Sequence, residues 1–163
     1  MTPTTLARTP DTFTRLRQLP RLWQWMEKPL NALQPALALL GRLYVAQVFF
    51  LSGLTKLRDW DTTLALFQDE YHVPVLPPEL AAWMGTCGEI GLPLLLVLGL
   101  GGRIAPVGLL VMNGVAVLSL SEIAPAALQQ HISWGIVLAA LVVFGVGRWS
   151  FDYWLERPAQ RTP

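Results

Sequence analysis

Four stretches of the chain stay apolar for roughly the 20 residues that a helix needs to cross a hydrocarbon core. They run from Pro35 to about Lys56, from about Glu79 to Leu100, from Ile104 to about Ser121, and from about Ile132 to Val146. Gly101-Gly102 and Pro125 read as breaks between them. Pro106 falls in the first turn of the third stretch, where a missing N–H costs nothing. No segment alternates polar and apolar as a membrane barrel strand does. In a bilayer, backbone polar groups must pair within the protein, so the pattern predicts an all-α fold, a four-helix transmembrane bundle.

The flanks differ in character. Residues 1–34 are polar, Thr-rich and basic, without the early apolar core of a signal peptide. Leu16, Leu19, Leu22, Trp23 and Met26 recur there at helical spacing among Arg15, Arg21 and Lys28, which predicts an amphipathic helix lying on a membrane surface. The chain thus divides into a basic tail with a surface helix (1–34), a membrane domain (35–152) and a C-terminal tail (153–163). The connection 57–78 is acidic, with Asp59, Asp61, Asp69 and Glu70. Trp60, Leu64, Phe67 and Tyr71 share one face there, predicting a short interfacial helix over 60–70, ended by the Val-Pro and Leu-Pro-Pro segments. Arg8, Arg15, Arg17, Arg21, Lys28, Arg103, Arg148, Arg157 and Arg161 fall on one side of the predicted bundle, and Lys56 and Arg58 on the other. By the positive-inside rule both termini are expected in the cytoplasm of a cell whose inner (plasma) membrane holds the protein. Trp60, Trp83 and Trp134 at one end, and Trp149 and Trp154 at the other, sit where interfacial anchors belong.

Composition narrows the function classes. Hydrophobic residues make up 53% of the 163 and charged ones 14%, so the bulk of the chain has ample apolar surface to bury and is not a disordered segment. A net charge of +1 without a basic run excludes a nucleic-acid interface. The single cysteine, Cys87, excludes an intramolecular disulfide framework and a dithiol relay.

Polar residues inside the spans carry the chemistry, because an intramembrane charge is costly and turns to the bundle interior. Arg42, Gln47, Glu89 and Asn113 are expected in a middle layer, and Lys56, Asp59, Glu122 and His131, the last at the mouth of the fourth helix, in an outer one. Arg42 is expected to reach Glu89 with a charge-assisted bond, its stem covering the depth difference. Such a pair either locks the bundle or forms part of a site that binds a polar ligand and relays protons. Gly85, Gly88 and Gly91 allow close helix approach, within the bundle or in a homodimer. Pro93 is expected to kink the second helix. Met84 and Cys87, three apart, with His131 or His72, form a weak soft-ligand set for Cu(I), although Cys87 as a small hydrophobe and His72 as a loop residue are the plainer readings.

Three motifs carry a resemblance. Gly41-Arg42-Leu43 with Phe49-Phe50-Leu51-Ser52-Gly53-Leu54-Thr55-Lys56-Leu57, then Gly88-Glu89-Ile90-Gly91 running on to Gly99-Leu100 and Arg103, then Gly145-Val146-Gly147-Arg148-Trp149-Ser150-Phe151-Asp152, resemble in order the segments of the DoxX family. The resemblance covers roughly 40–152. It implies a small four-helix inner-membrane protein associated with membrane redox chemistry, such as oxidoreductase complexes linked to quinone, or with metal and oxidative stress. It hands over no established catalytic residue. Arg42, Lys56 and Glu89 are its polar positions.

Three functions are therefore weighed. A quinone-linked redox subunit would use Arg42 or Lys56 as donor and Glu89 or His131 as proton relay, with electrons supplied by a protein partner. A non-enzymatic scaffold or assembly partner would use the basic tail and the acidic connection. A small transporter or copper-stress protein would use the Met84/Cys87/His131 region or the central polar layer. The first is favoured, mainly through the family resemblance.

Overall fold

The computed structural model describes the backbone of residues 19–156 and the side chains of 25 and 27–155. The expected roles of Arg8, Arg15, Leu16, Arg17, Arg157 and Arg161 lie outside the described residues, as do the side chains of Leu19, Arg21, Leu22, Trp23 and Met26. Among the described residues the chain is helical, with a single isolated bridge between Tyr71 and Leu120 in place of any strand. Six helices follow in order: α1 Leu19–Arg58, α2 Trp60–Asp69, α3 Pro78–Leu98, α4 Ile104–Ser119, α5 Pro125–Phe144 and α6 Phe151–Glu156.

The chain separates into two compact units at Gln34 and Pro35. In the first, residues 19–34 are helical and the described side chains, Trp25 and Glu27 to Gln34, are all exposed.

In the second unit three helical segments are long and apolar enough to cross a membrane, Glu27–Arg58 (which starts within the first unit), Pro78–Leu98 and Pro125–Phe144, and Ile104–Ser119 is a shorter apolar fourth. Their outward faces are apolar, with Ile104, Val107, Val111 and Leu118 exposed on α4 and Ile132, Ile136 and Val143 on α5. Such faces belong in lipid, and the chain is a multi-pass helical membrane bundle. The interior interleaves Val45, Ala46 and Phe49 of α1 with Leu96 of α3, Leu109 of α4, and Leu138 and Leu141 of α5.

Two boundaries differ from the sequence expectation. α5 begins at Pro125 rather than near Ile132, because proline at the first helical position is preset for the helix rather than a break. His131 consequently lies about 9 Å, nearly two turns, inside α5 and not at its mouth. A further short helix, α6, begins at Phe151, two residues before the expected C-terminal tail, and its Tyr153 N–H donates to Ser150 Oγ at 3.3 Å.

The predicted helix over 60–70 is α2. Asp59 caps it: Oδ1 accepts from Thr62 N–H at 3.0 Å and Oδ2 from the Thr62 hydroxyl at 2.7 Å. Those two bonds hold the Asp59 carboxyl below its ordinary pKa. Phe67 packs on Ala81 and Ala82 of α3, with Trp60, Tyr71, Val73 and Leu76 around them. Trp60 and Trp83, expected as separate interfacial anchors, stack on each other at 4.2 Å.

Candidate functional site

α1 and α3 meet at Gly53. A Cβ there would lie 2.8 Å from Ile90 Cγ1 and 3.1 Å from Glu89 Cβ, so only glycine lets the two backbones come this close. Lys56 follows Gly53 by three residues, on the same face of α1. Its ammonium therefore reaches the Glu89 carboxylate, at 2.7 Å from Oε1 and 2.5 Å from Oε2, and donates to Ser52 Oγ at 3.0 Å. The side chains are 19% and 15% exposed, so the pair is largely withdrawn from solvent.

This corrects the expected Arg42–Glu89 pair. Arg42 lies fourteen residues before Lys56, about 21 Å along the axis, and the Gly53 contact places Glu89 beside the far end of α1. Arg42 is fully buried, and its Nη2 donates to the Trp149 carbonyl, while Nε and Nη1 have no hydrogen-bond partner among the described residues. Gly99, in the left-handed region at φ +67°, packs against Arg42 and Ser150, and Asp152 accepts from Gly102 N–H. The closing glycine-rich segment thus folds against Arg42 and the α3–α4 turn and seals that end of the bundle.

At the other end lies a cavity of about 400 Å³. Phe49, Phe67, Tyr71 and Trp134 give it aromatic walls, and Ser52, Lys56, Glu89 and His131 line it as well. It is not closed, for Met84 and Val111 in its wall are both exposed. Its roof is the connection after α2, tied to the end of α4 by His72 N–H donating to the Ser119 carbonyl at 2.8 Å and by the Tyr71–Leu120 bridge. Burial, then the negative charges of Glu89 and Glu70, push the Tyr71 phenol above its ordinary pKa.

Asn113 sets the state of His131. Its Nδ2 donates to the His131 carbonyl at 3.0 Å, a group that only accepts, which fixes the amide orientation. Oδ1 then faces His131 Nδ1 at 2.8 Å, so Nδ1 carries a proton, and in the neutral imidazole Nε2 is the nitrogen with the lone pair. Trp134 packs edge-on against this ring at 4.9 Å and against Phe49 at 6.2 Å.

The site's hydrogen-bonding capacity follows. The three ammonium protons of Lys56 are satisfied by Glu89 and Ser52. The Ser52 hydroxyl, which accepts from Lys56, and the Tyr71 hydroxyl have no acceptor among the described residues, and both line the cavity. The residues that line the cavity therefore include two with a hydroxyl free to donate and, in the neutral form of His131, one imidazole able to accept, among apolar and aromatic walls.

Of the sequence candidates, Lys56, Glu89, Asn113 and His131 are brought together. Arg42 is held at the opposite end. Gln47 is exposed on the outward face of α1, roughly opposite Val45 and Phe49. Glu122 is exposed beyond α4, because the chain turns extended at Leu120 to meet Tyr71. Met84 lines the cavity but Cys87 is exposed and not in its wall, so they do not converge with His131. Among the described residues no three His, Cys, Asp or Glu side chains cluster as a metal site would require. Tyr71 joins the lining as a polar group that the sequence pattern does not single out, and Trp134, expected as an interfacial anchor, packs against His131 and Phe49. The Ser52–Lys56 spacing of four was the available signal for Ser52.

A family model described as DoxX matches residues 37–122, just over half of the chain. No curated protein and no solved structure is detectably similar to it.

Proposed function

The chain belongs to the DoxX family, and on that premise we propose that it is a quinone-binding, redox-associated subunit of a membrane oxidoreductase system, seated in the inner membrane with both termini cytoplasmic. The observation that carries the proposal is the amphipathic cavity. A quinone head group is planar, apolar at its faces and polar at two opposed oxygens. Phe49, Phe67 and Trp134 supply surfaces for the ring. The Ser52 and Tyr71 hydroxyls donate to a quinone carbonyl, and His131 Nε2 accepts from the hydroxyl of the reduced form. The exposed Met84 and Val111 mark a side through which a lipid-borne tail can leave. A bound quinone would supply two-electron chemistry, with electrons passed by a protein partner. Glu89 and His131 hold and move protons at the head group.

The charge distribution supports the orientation. In the sequence the larger set of Lys and Arg falls on the side of Arg103 and Arg148, against Lys56 and Arg58 on the cavity side.

The experiment uses the full chain purified into lipid nanodiscs. Extraction and mass spectrometry are expected to find a retained quinone. After delipidation, a short-tailed benzoquinone is expected to quench tryptophan fluorescence saturably. Trp134→Phe removes most of that quenching, and Tyr71→Phe weakens binding about fivefold to tenfold, the worth of one hydrogen bond. Absence of both retained quinone and saturable quenching would overturn the proposal and leave the scaffold role.

A further inference from the structure

The outward faces of the four apolar helices are not alike. Those of α4 and α5 expose Ile104, Val107, Val111, Leu118, Ile132, Ile136 and Val143, and that of α3 exposes aliphatic side chains with Trp83 and Cys87. α1 instead exposes Gln47 midway along its apolar stretch, with Tyr44 one turn away. Gln47 makes no hydrogen bond to any described residue. A primary amide without partners is costly in hydrocarbon, where neither water nor acyl chains can satisfy it. Something other than lipid must cover it.

The neighbouring positions indicate what does. Leu37, Leu40, Tyr44, Gln47, Leu51 and Leu54 follow one another at intervals of three, four, three, four and three, and all but the half-buried Leu54 are exposed. In the sequence the same alternation extends back to Leu33 and Leu30. This is a heptad seam, with a single polar side chain at an otherwise apolar core position, the device that fixes register in paired helices. It lies opposite the face that Val45, Ala46 and Phe49 bury in the bundle. An amide both donates and accepts, so it is complementary to itself. Two copies inserted the same way in a bilayer present parallel α1 helices, and a twofold axis along the membrane normal brings each residue near its own counterpart. We propose that the protein forms a homodimer through this α1 seam, with the Gln47 amides of the two copies hydrogen-bonded to each other. This interface is independent of the quinone reading, and it differs from the Gly85, Gly88 and Gly91 face expected from sequence, of which Gly85 and Gly88 are covered within the chain by Phe67 and Met112 and only Gly91 is open.

The test uses full-length protein in proteoliposomes. In a Cys87→Ala background, single Tyr44→Cys, Gln47→Cys and Leu51→Cys substitutions are each expected to give an oxidative cross-linked dimer, whereas Val111→Cys and Ile136→Cys are not. Energy transfer measured on lipid dilution is expected to show Gln47→Leu dimerising about tenfold more weakly, and Gln47→Asn within about twofold of the parent, since it keeps the amide. Cross-linking from α4 or α5 equal to that from α1, a monomer at every dilution, or an undiminished Gln47→Leu dimer would each overturn the proposal.

Discussion

Replacing Lys56 or Glu89 singly should be far more damaging than replacing both. The two groups meet through 2.5 and 2.7 Å contacts, and their side chains are only 19% and 15% exposed. Removing one partner of a buried pair costs about 3–5 kcal/mol, because the remaining charge stays in a medium that solvates it poorly. The residual exposure to the cavity, and Ser52 as a second acceptor for Lys56, place this pair at the lower end, about 3 kcal/mol for Lys56→Met or Glu89→Leu. Replacing both at similar volume removes the orphan and is close to neutral, within about 1 kcal/mol. Reversible unfolding in mixed micelles with rising anionic detergent, followed by tryptophan fluorescence, gives all four free energies of the cycle. A coupling of at least about 2 kcal/mol is expected. The cycle between Arg42→Met and Glu89→Leu should be additive, because Arg42 donates to the Trp149 carbonyl. Losses at Lys56 and Glu89 that add to within about 0.5 kcal/mol would refute the pairing, and so would strong coupling of Glu89 to Arg42.

Gly53→Ala should destabilise the fold by about 1–3 kcal/mol through the clash with Ile90 and the Glu89 backbone, and should also lower the Lys56–Glu89 coupling; a stable variant with full coupling would contradict the close approach. Gly99→Ala combines the left-handed backbone, about 1–2 kcal/mol, with a Cβ 2.9 Å from Ser150 Cα, so a total loss of about 2–4 kcal/mol is expected in the same unfolding assay, with a shift in Trp149 emission. The raised pKa of Tyr71 means that the native state holds its phenolic proton longer than the unfolded chain does, so this contribution to stability is complete below the ordinary tyrosine pKa and is lost as pH rises through the higher native value. Ultraviolet difference titration should show one late-ionising tyrosinate that is missing in Tyr71→Phe, and alkaline stability should fall less steeply in that variant.

Much of the fold was legible because lipid imposes one-dimensional constraints. Span length, the acidic connection and Trp60–Phe67 periodicity located the apolar helices and α2 without tertiary information. The misjudged places were those where one residue type supports opposite outcomes. Pro125 ends a helix or starts one, and which occurs depends on the backbone around it. Lys56, Glu89, Asn113 and His131 were identifiable as polar groups that turn inward, since polar groups within apolar spans have few places to go. Tyr71 was not, because its entry into the cavity depends on the bridge to Leu120, a contact between residues far apart in the chain.

From the order of its residues alone, the chain was committed to crossing a membrane as helices and to turning a few polar groups inward, because burial of apolar side chains and pairing of backbone groups depend on local pattern. Which charge meets which was decided only in three dimensions. Depth along separate helices is set by where they touch, and here a glycine contact at Gly53 raised Glu89 to Lys56 and left Arg42 to the Trp149 carbonyl at the opposite end of the bundle.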